Sequence, residues 1–445
     1  MTLARSPESR ETNSERLRVS QHARSRGLTA NTHMEPDKRQ FTRNRATIAM
    51  LRFAALLITM IPAGLVTAAE GTSQSNIEII GSLQTDYIQD FKRVDGNWDD
   101  TLRPSKIPTQ EGQFGDDGQA ILSVRQSGMG VRFAVPAGAH EIKGLFYFNL
   151  FGSGANEGET TFHLSRAYAE WGPLLAGYFD TVFMDVDIFP DVIDYWGPPG
   201  MVYVKNPQIR WTALANDRYR FAVALEKPSD DIDPGQIRDF DPVLGENLQS
   251  DEEIPDLTAH LRMKGDWGHV QAAALFRRVG FETAGTPDNE PSGDEFGWGV
   301  NVTSAINLLG DDQLLVGAVY GEGVASYMND GGTDLAANGT FAAPEPTPVE
   351  LLGVSAYYNH QWNDRWTSAI GYSRTEVNNT DLQSDDAFKF GAYASANLLF
   401  SPAEHVLIGA EALWGQREDK DGQSGDDVRI QFTVRYSFTT VVLTH

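Results

Sequence analysis

The chain has 445 residues, 22% charged and 10% aromatic, with 42 glycines, no cysteine and a formal net charge of −25. Without cysteine there is no disulfide framework, thiolate metal site or thiol nucleophile. The acidity speaks against nucleic acid as a partner, and the length suffices for a large core or a large closed sheet.

Residues 1–49 are Arg-rich and show no apolar period. They lead into a 14-residue apolar run, Phe53–Val66, too short to cross a bilayer comfortably as a helix. Arg43, Arg45 and Arg52 precede it and Thr67-Ala68-Ala69, a small-x-small pattern, follows. This predicts a secretory signal peptide cleaved after Ala69, with Met34 or Met50 as alternative starts. The expected domains are residues 1–69, extension and signal peptide; 70–438, a barrel; and 439–445, a tail. Residues 1–69 hold 11 Lys and Arg against 5 Asp and Glu, so the remaining chain is near −31.

Beyond Ser75 the alternation of apolar and polar residues predicts sixteen strands of membrane-crossing length. They fall at about 77–91, 120–135, 141–152, 162–172, 174–185, 202–214, 218–228, 257–267, 269–282, 295–309, 313–328, 351–362, 366–378, 387–400, 405–418 and 427–438. Short turns such as Gly172-Pro173 and Ala215-Asn216-Asp217 alternate with long acidic loops at 92–119, 186–201, 229–256, 283–294 and 329–350. Trp171, Trp267, Trp362, Trp366, Tyr436 and Phe438 crowd the turn ends, as interfacial rings do. The pattern describes a 16-stranded antiparallel transmembrane β-barrel of the bacterial outer membrane, turns periplasmic and loops extracellular. Parity slips near Gly128 and Gly130, where a bulge is expected.

No nucleophile, base and orienter present themselves. His163 and Ser165 share a strand face without a third partner, so no enzyme, cofactor or metal site is expected. Asp251-Glu252-Glu253 reads as a solvated acidic face, with a weak Ca²⁺ or Mg²⁺ bridge to lipopolysaccharide as the alternative. Outward apolar faces force the basic residues inward, since an arginine facing lipid at mid-depth costs about 2–4 kcal/mol. Arg210, Arg220, Arg262, Lys264, Arg429 and Arg435 thus face the lumen. Arg125 and Arg166 join them, although Phe162 and Leu164 share the parity of Arg166. Such a wall either makes a path for anions or pairs with Glu170, Glu226 and Glu411. The loop 186–201 carries Ile188, Phe189, Val192, Ile193, Tyr195 and Trp196, too apolar for solvent. It is expected to fold inward as a constriction, with Asp191, Asp194, Tyr195 and Trp196 at the eyelet and the two aspartates facing the arginines. A contact loop between subunits is the alternative.

The stretches Arg166-Ala167-Tyr168-Ala169-Glu170-Trp171-Gly172, Leu174-Leu175-Ala176-Gly177, Phe183-Met184-Asp185, Gly197-Pro198-Pro199-Gly200, Pro207-Gln208-Ile209-Arg210 and Arg125-Gln126-Ser127 resemble the DcaP-like outer-membrane porins. The resemblance implies a homotrimeric porin passing small anionic solutes, dicarboxylates and aromatic carboxylates among them. Arg125, Arg166 and Arg210 match its motif arginines. Some members carry a helical segment before the barrel and end on an aromatic residue. Here Glu70–Asn76 precedes the first strand and seven residues follow Phe438. The alternatives are a general or cation-preferring porin governed by the acidic loops, a non-conducting adhesive or structural barrel, and an outer-membrane hydrolase. The expected surroundings are outer-membrane lipid and lipopolysaccharide.

Overall fold

The computed structural model describes residues 75–444. The expected signal peptide within residues 1–69 and the last tail residue, His445, lie outside the described residues. The first eight strands are β1 (Asn76–Asp90), β2 (Gln119–Ser123 and Gly128–Ala137), β3 (His140–Phe151), β4 (Thr160–Trp171), β5 (Leu174–Asp180), β6 (Lys205–Ala215), β7 (Tyr219–Glu226) and β8 (Asp256–Gly265). The second eight are β9 (Gly268–Thr283), β10 (Gly293–Asn307), β11 (Gln313–Glu322), β12 (Glu350–Asn363), β13 (Trp366–Asn378), β14 (Phe388–Ala403), β15 (Val406–Asp419) and β16 (Ser424–Thr444). Each pairs antiparallel with the next, and β16 returns to β1 with Phe438 opposite Gly81. The sheet therefore closes and leaves no edge strand for a second chain to extend.

Alternation assigns the two faces. On β16, Val428, Phe432 and Tyr436 are exposed on the outside, whereas Asp427, Arg429, Gln431 and Thr433 are buried on the lumen side. Burial on the polar side means that the lumen is partly filled, and loops fill it. Trp171, Trp267, Trp362 and Tyr436 stand exposed at the turn end, as a girdle requires. Gly172 holds its tight turn at φ +57°, a conformation that favours glycine.

Three features depart from simple alternation. β2 is broken at residues 124–127, just before Gly128, where the parity slip was expected to begin, and both halves pair with β1. In β4 the register shifts between Tyr147–Arg166 and Phe148–Leu164, so a bulge at Ser165 turns Arg166 inward while Phe162 and Leu164 stay outside. β16 continues past Phe438, the expected end of the barrel, and Thr439–Thr444 pairs with β1 back to Asn76.

At the loop end, a small sheet joins Ile232–Asp233, Leu335–Thr340 and Ala343–Pro348. Two apolar clusters lie inside the barrel. One gathers Phe183, Met184, Val202, Tyr327 and Met328 from the loops against Leu275, Val319 and Leu351 of the wall. The other gathers Val94, Leu102 and Ile107 against Leu315, Tyr357, Tyr393 and Leu413. The second cluster was not expected, since it brings loop 91–118 into the lumen beside loop 181–204.

Candidate pore constriction

The segment after β5 crosses the barrel interior, and its main chain is satisfied by wall side chains. Glu226 of β7 accepts from Thr181 Oγ1 and Val182 N, both at 2.9 Å. Gln271 and Asn301 donate to the carbonyls of Met184 and Phe183. Asp185 accepts from His269 at 2.7 Å and from Thr303 at 2.6 Å. On the far wall, Asn397 of β14 donates to the Asp191 carbonyl at 2.6 Å, and Glu411 of β15 accepts from Ile193 N, also at 2.6 Å. The return limb presses so close to β13 that a Cβ on Gly200 would lie 2.1 Å from the Arg374 carbonyl. Irregular backbone at this depth is tolerated because these wall side chains and bonds within the loop satisfy its polar groups.

The four expected eyelet residues serve mostly to fix this loop. Tyr195 stacks on Phe151 with centroids 3.8 Å apart, and its hydroxyl accepts from Asn149 at 2.8 Å. Trp196 packs edge-on against Trp98, and Arg103 lies 4.6 Å over each ring. Asp194 is buried and accepts from Thr101 Oγ1, Leu102 N and Gly197 N. It does not face the β6–β8 arginines, as the sequence reading expected. Loop 91–118 takes one of its oxygens, and Gly197 N and Tyr393 of β14 take the other. Asp191 alone of the four is exposed, held at 3.3 Å by Asn359 of β12.

Six of the seven expected arginines fall into two sets; the seventh, Arg435 of β16, is half-buried. Arg125 and Arg429 are sealed. Arg125 meets Asp100, the Gly152 carbonyl and, at 4.0 Å, the ring of Phe151. Arg429 is held by Asp90 at 2.8 Å, Asp427 at 3.0 Å and the carbonyls of Asp99 and Thr101. Both face the lumen side, yet loop 91–118 covers them, so neither touches an open passage. The other four lie on β4 and on β6–β8. Arg166 grips Asp180 through Nε and Nη2, and Arg210 bonds Gln208 and the Asp180 carbonyl, both beside Phe179. Arg262 joins Asp185 and Asp187. Arg220 is exposed, stands directly opposite Arg262 in the β7–β8 register, and has no ion-pair partner among the described residues. A cavity of about 750 Å³ on the turn side of the loop is lined by Arg210, Arg220, Arg262, Lys264, Glu170 and Asp187. A closed barrel narrowed by an inward loop, with a basic cavity below it, has the construction of a channel.

The chain matches the DcaP outer membrane protein family over residues 67–438. It belongs to that family. The fold is similar to that of the outer membrane channel DcaP of Acinetobacter baumannii, with a TM-score of 0.69 and 20% identity over 84% of this chain and 100% of that one. It is also similar to an anion-selective porin from Comamonas acidovorans, with a TM-score of 0.52 and 7% identity over 82% of this chain and 100% of that one. No curated protein matches the chain. As a DcaP family member it is an outer-membrane channel, and the turn end of the barrel is periplasmic.

Several residues that organise this DcaP-family channel escaped the sequence reading. The sequence places Asp185 at the end of a strand, Asp187 in the inward loop without a partner, and loop 92–119 among the acidic extracellular loops. Its spaced apolar residues, Val94, Trp98, Leu102 and Ile107, were the available signal. At the extracellular end Arg277 of β9 is fully buried among Asp230, Asp256 and Asp334, under the ring of Tyr327. Loops 227–255 and 323–349 are fastened there to the barrel. Burial pushes both Asp230 and its neighbour Asp231 up to about 6, with Arg277 pulling the other way. On the periplasmic turn, hydrogen bonds from Tyr358, His360 and Gln361 N hold Asp312 down at about 2.

Proposed function

We propose that this channel passes small anionic solutes, carboxylates foremost, by passive diffusion, and performs no covalent chemistry. The observation that carries the reading is the cavity wall of Arg210, Arg220, Arg262 and Lys264, with Arg220 exposed and without an ion-pair partner among the described residues. A guanidinium fork matches a carboxylate and, in a partly desolvated passage, attracts it more strongly than in bulk water. Arg166 and Arg210 beside Phe179 extend the basic wall upward from the cavity, which suits a carboxylate carried on an apolar or aromatic body. The constriction is formed by loop 181–204 together with loop 91–118, with Asp191 exposed at its edge. The proposed assembly is a homotrimer in outer-membrane lipid and lipopolysaccharide, exported through a signal peptide cleaved after Ala69; light scattering on the detergent-solubilised protein reads its mass as one or three barrels.

A cation-preferring channel is the second reading, favoured by the acidic extracellular loops and a charge near −31 beyond Ala69. Proteoliposome swelling separates the two. Succinate entering faster than a neutral sugar of similar size, with a diamine slower than either, supports the anion reading. The reverse order supports the acidic loops, and no swelling from a folded barrel leaves an adhesive or structural role.

A further inference from the structure

Loop 323–349 joins two strands at the extracellular end, yet its first limb, 324–331, is buried except for a half-buried Ser326. The limb lies antiparallel to the return of loop 181–204. Val202 and Met328 pair across a single bridge, with Tyr203 N donating to the Tyr327 carbonyl at 3.0 Å and Asn329 N to that of Met201 at 2.9 Å. The next two side chains each tie down one inward loop. Asn329 Nδ2 donates to the carbonyls of Trp196 at 2.8 Å and Pro198 at 3.0 Å, and the Trp196 indole donates back to the Asn329 carbonyl at 2.7 Å. Pro198 and Pro199 have no N–H, so the turn there needs a donor from outside, and an asparagine amide offers two on a short stem. The Asp330 side chain is 1% exposed and accepts from Arg103 Nε at 2.9 Å, Ser105 N at 2.8 Å and Ser105 Oγ at 2.6 Å, all of loop 91–118. Arg103 is the guanidinium lying over both Trp98 and Trp196. The outer end of the limb is fixed as well, since Ser326 Oγ accepts from Arg277 at 2.8 Å and Ser326 N donates to Asp334 at 3.0 Å.

We propose that Asn329 and Asp330 are positioning residues of the permeation path, which lock the return of loop 181–204 to Arg103 of loop 91–118 and so set the width of the opening. They act through the loops they hold and need no contact with solute. The constriction is then a three-loop structure, and loop 323–349 is the strap that fixes it from the extracellular side. Buried amide and carboxylate groups suit this role, because each is costly to leave unpaired and therefore enforces one arrangement. The inference rests on the constriction proposed above and is independent of the charge of the solute.

The test uses the full channel in planar bilayers at fixed KCl, with two variants that cut one tie each. Asn329→Asp keeps the size of the side chain and removes both donors; Asp330→Ala takes the carboxylate from Arg103 and Ser105. Each should raise single-channel conductance and open-channel current noise. A role in folding alone would lower the urea midpoint and move neither current reading. The chain has no cysteine, so Val202→Cys/Met328→Cys supplies one defined pair. Residues opposed in this way have Cα atoms about 4.5 Å apart, within disulfide reach. In the Asn329→Asp background the oxidised pair should return conductance and noise to wild-type values, and a reductant should raise them again. Wild-type currents from both folded single variants overturn the inference, as does a formed cross-link that fails to restore Asn329→Asp. Should removal of residues 188–196 also leave conductance unchanged, the constriction itself falls; a rise on that removal alone sinks only the strap.

Discussion

Arg429 and Arg220 both point into the barrel, and they live in opposite surroundings. Arg429 on β16 is wholly buried, with two carboxylates and two carbonyls around it. Arg220 on β7 stands exposed at a cavity with no ion-pair partner among the described residues. Strand parity treats them alike. The difference lies in which wall the inward loops cover. Loop 91–118 lies against β14–β16 and turns the arginine there into an anchor. The β6–β8 wall below loop 181–204 borders the cavity, with Arg220 exposed there and Arg210 buried at its edge. The β14–β16 wall is thus packed by loop, whereas β7 and β8 anchor the inward loop through Glu226 and Arg262 and leave Arg220 exposed to the cavity.

Arg429→Ala should produce the largest effect. It strands Asp90 and Asp427 as buried charges and releases the carbonyls of Asp99 and Thr101. The expected loss is about 3–5 kcal/mol, read from the urea midpoint of the micelle-bound barrel. An unchanged midpoint would mean that the buried wall is not an anchor. Next comes removal of residues 188–196, which should raise single-channel conductance, because the segment bridges β10–β11 to β14–β16 across the lumen. Conductance equal to wild type would place the restriction elsewhere. Arg220→Ala should then move stability by no more than about 0.5 kcal/mol while lowering anion preference, the mirror image of Arg429→Ala.

The smallest effect concerns the extracellular clamp. Asp230 and Asp231 titrate near 6 in the fold, above the ordinary aspartate value, so between about pH 4 and 6 the folded loops bind more protons than unfolded ones. Their contribution is fully present below that window and is lost as pH rises through 6. Cleavage of loop 227–255 by an added protease, corrected for the enzyme's own pH profile, should be slower at pH 5 than at pH 7.5. Equal rates would show that Arg277 compensates its aspartates fully.

Much of the barrel was legible because lipid imposes a strict rule on it. All sixteen strands appear where alternation put them. The largest differences are β5 ending at Asp180, β11 ending at Glu322 and β16 running on to Thr444. The inward course of loop 181–204 was also legible, since its consecutive apolar residues had no place in water. Loop 91–118 was not, because Val94, Trp98, Leu102 and Ile107 are dispersed among aspartates and prolines and bury themselves only together. The inward turn of Arg166 depended on a bulge at Ser165 that parity alone concealed. The partners of the arginines were least accessible of all. Asp90 reaches Arg429 from the other end of the chain, and Asp187 reaches Arg262 from a loop, so only closure of the barrel brings them together.

The claim that the β6–β8 wall sets selectivity is tested most directly by reversal potential in a KCl gradient across a planar bilayer. Wild type, Arg220→Ala and the double variant Arg210→Ala/Arg220→Ala would be compared. Anion preference in wild type that declines stepwise through the two variants is the predicted result. Cation preference in wild type, or an anion preference indifferent to both variants, would contradict it.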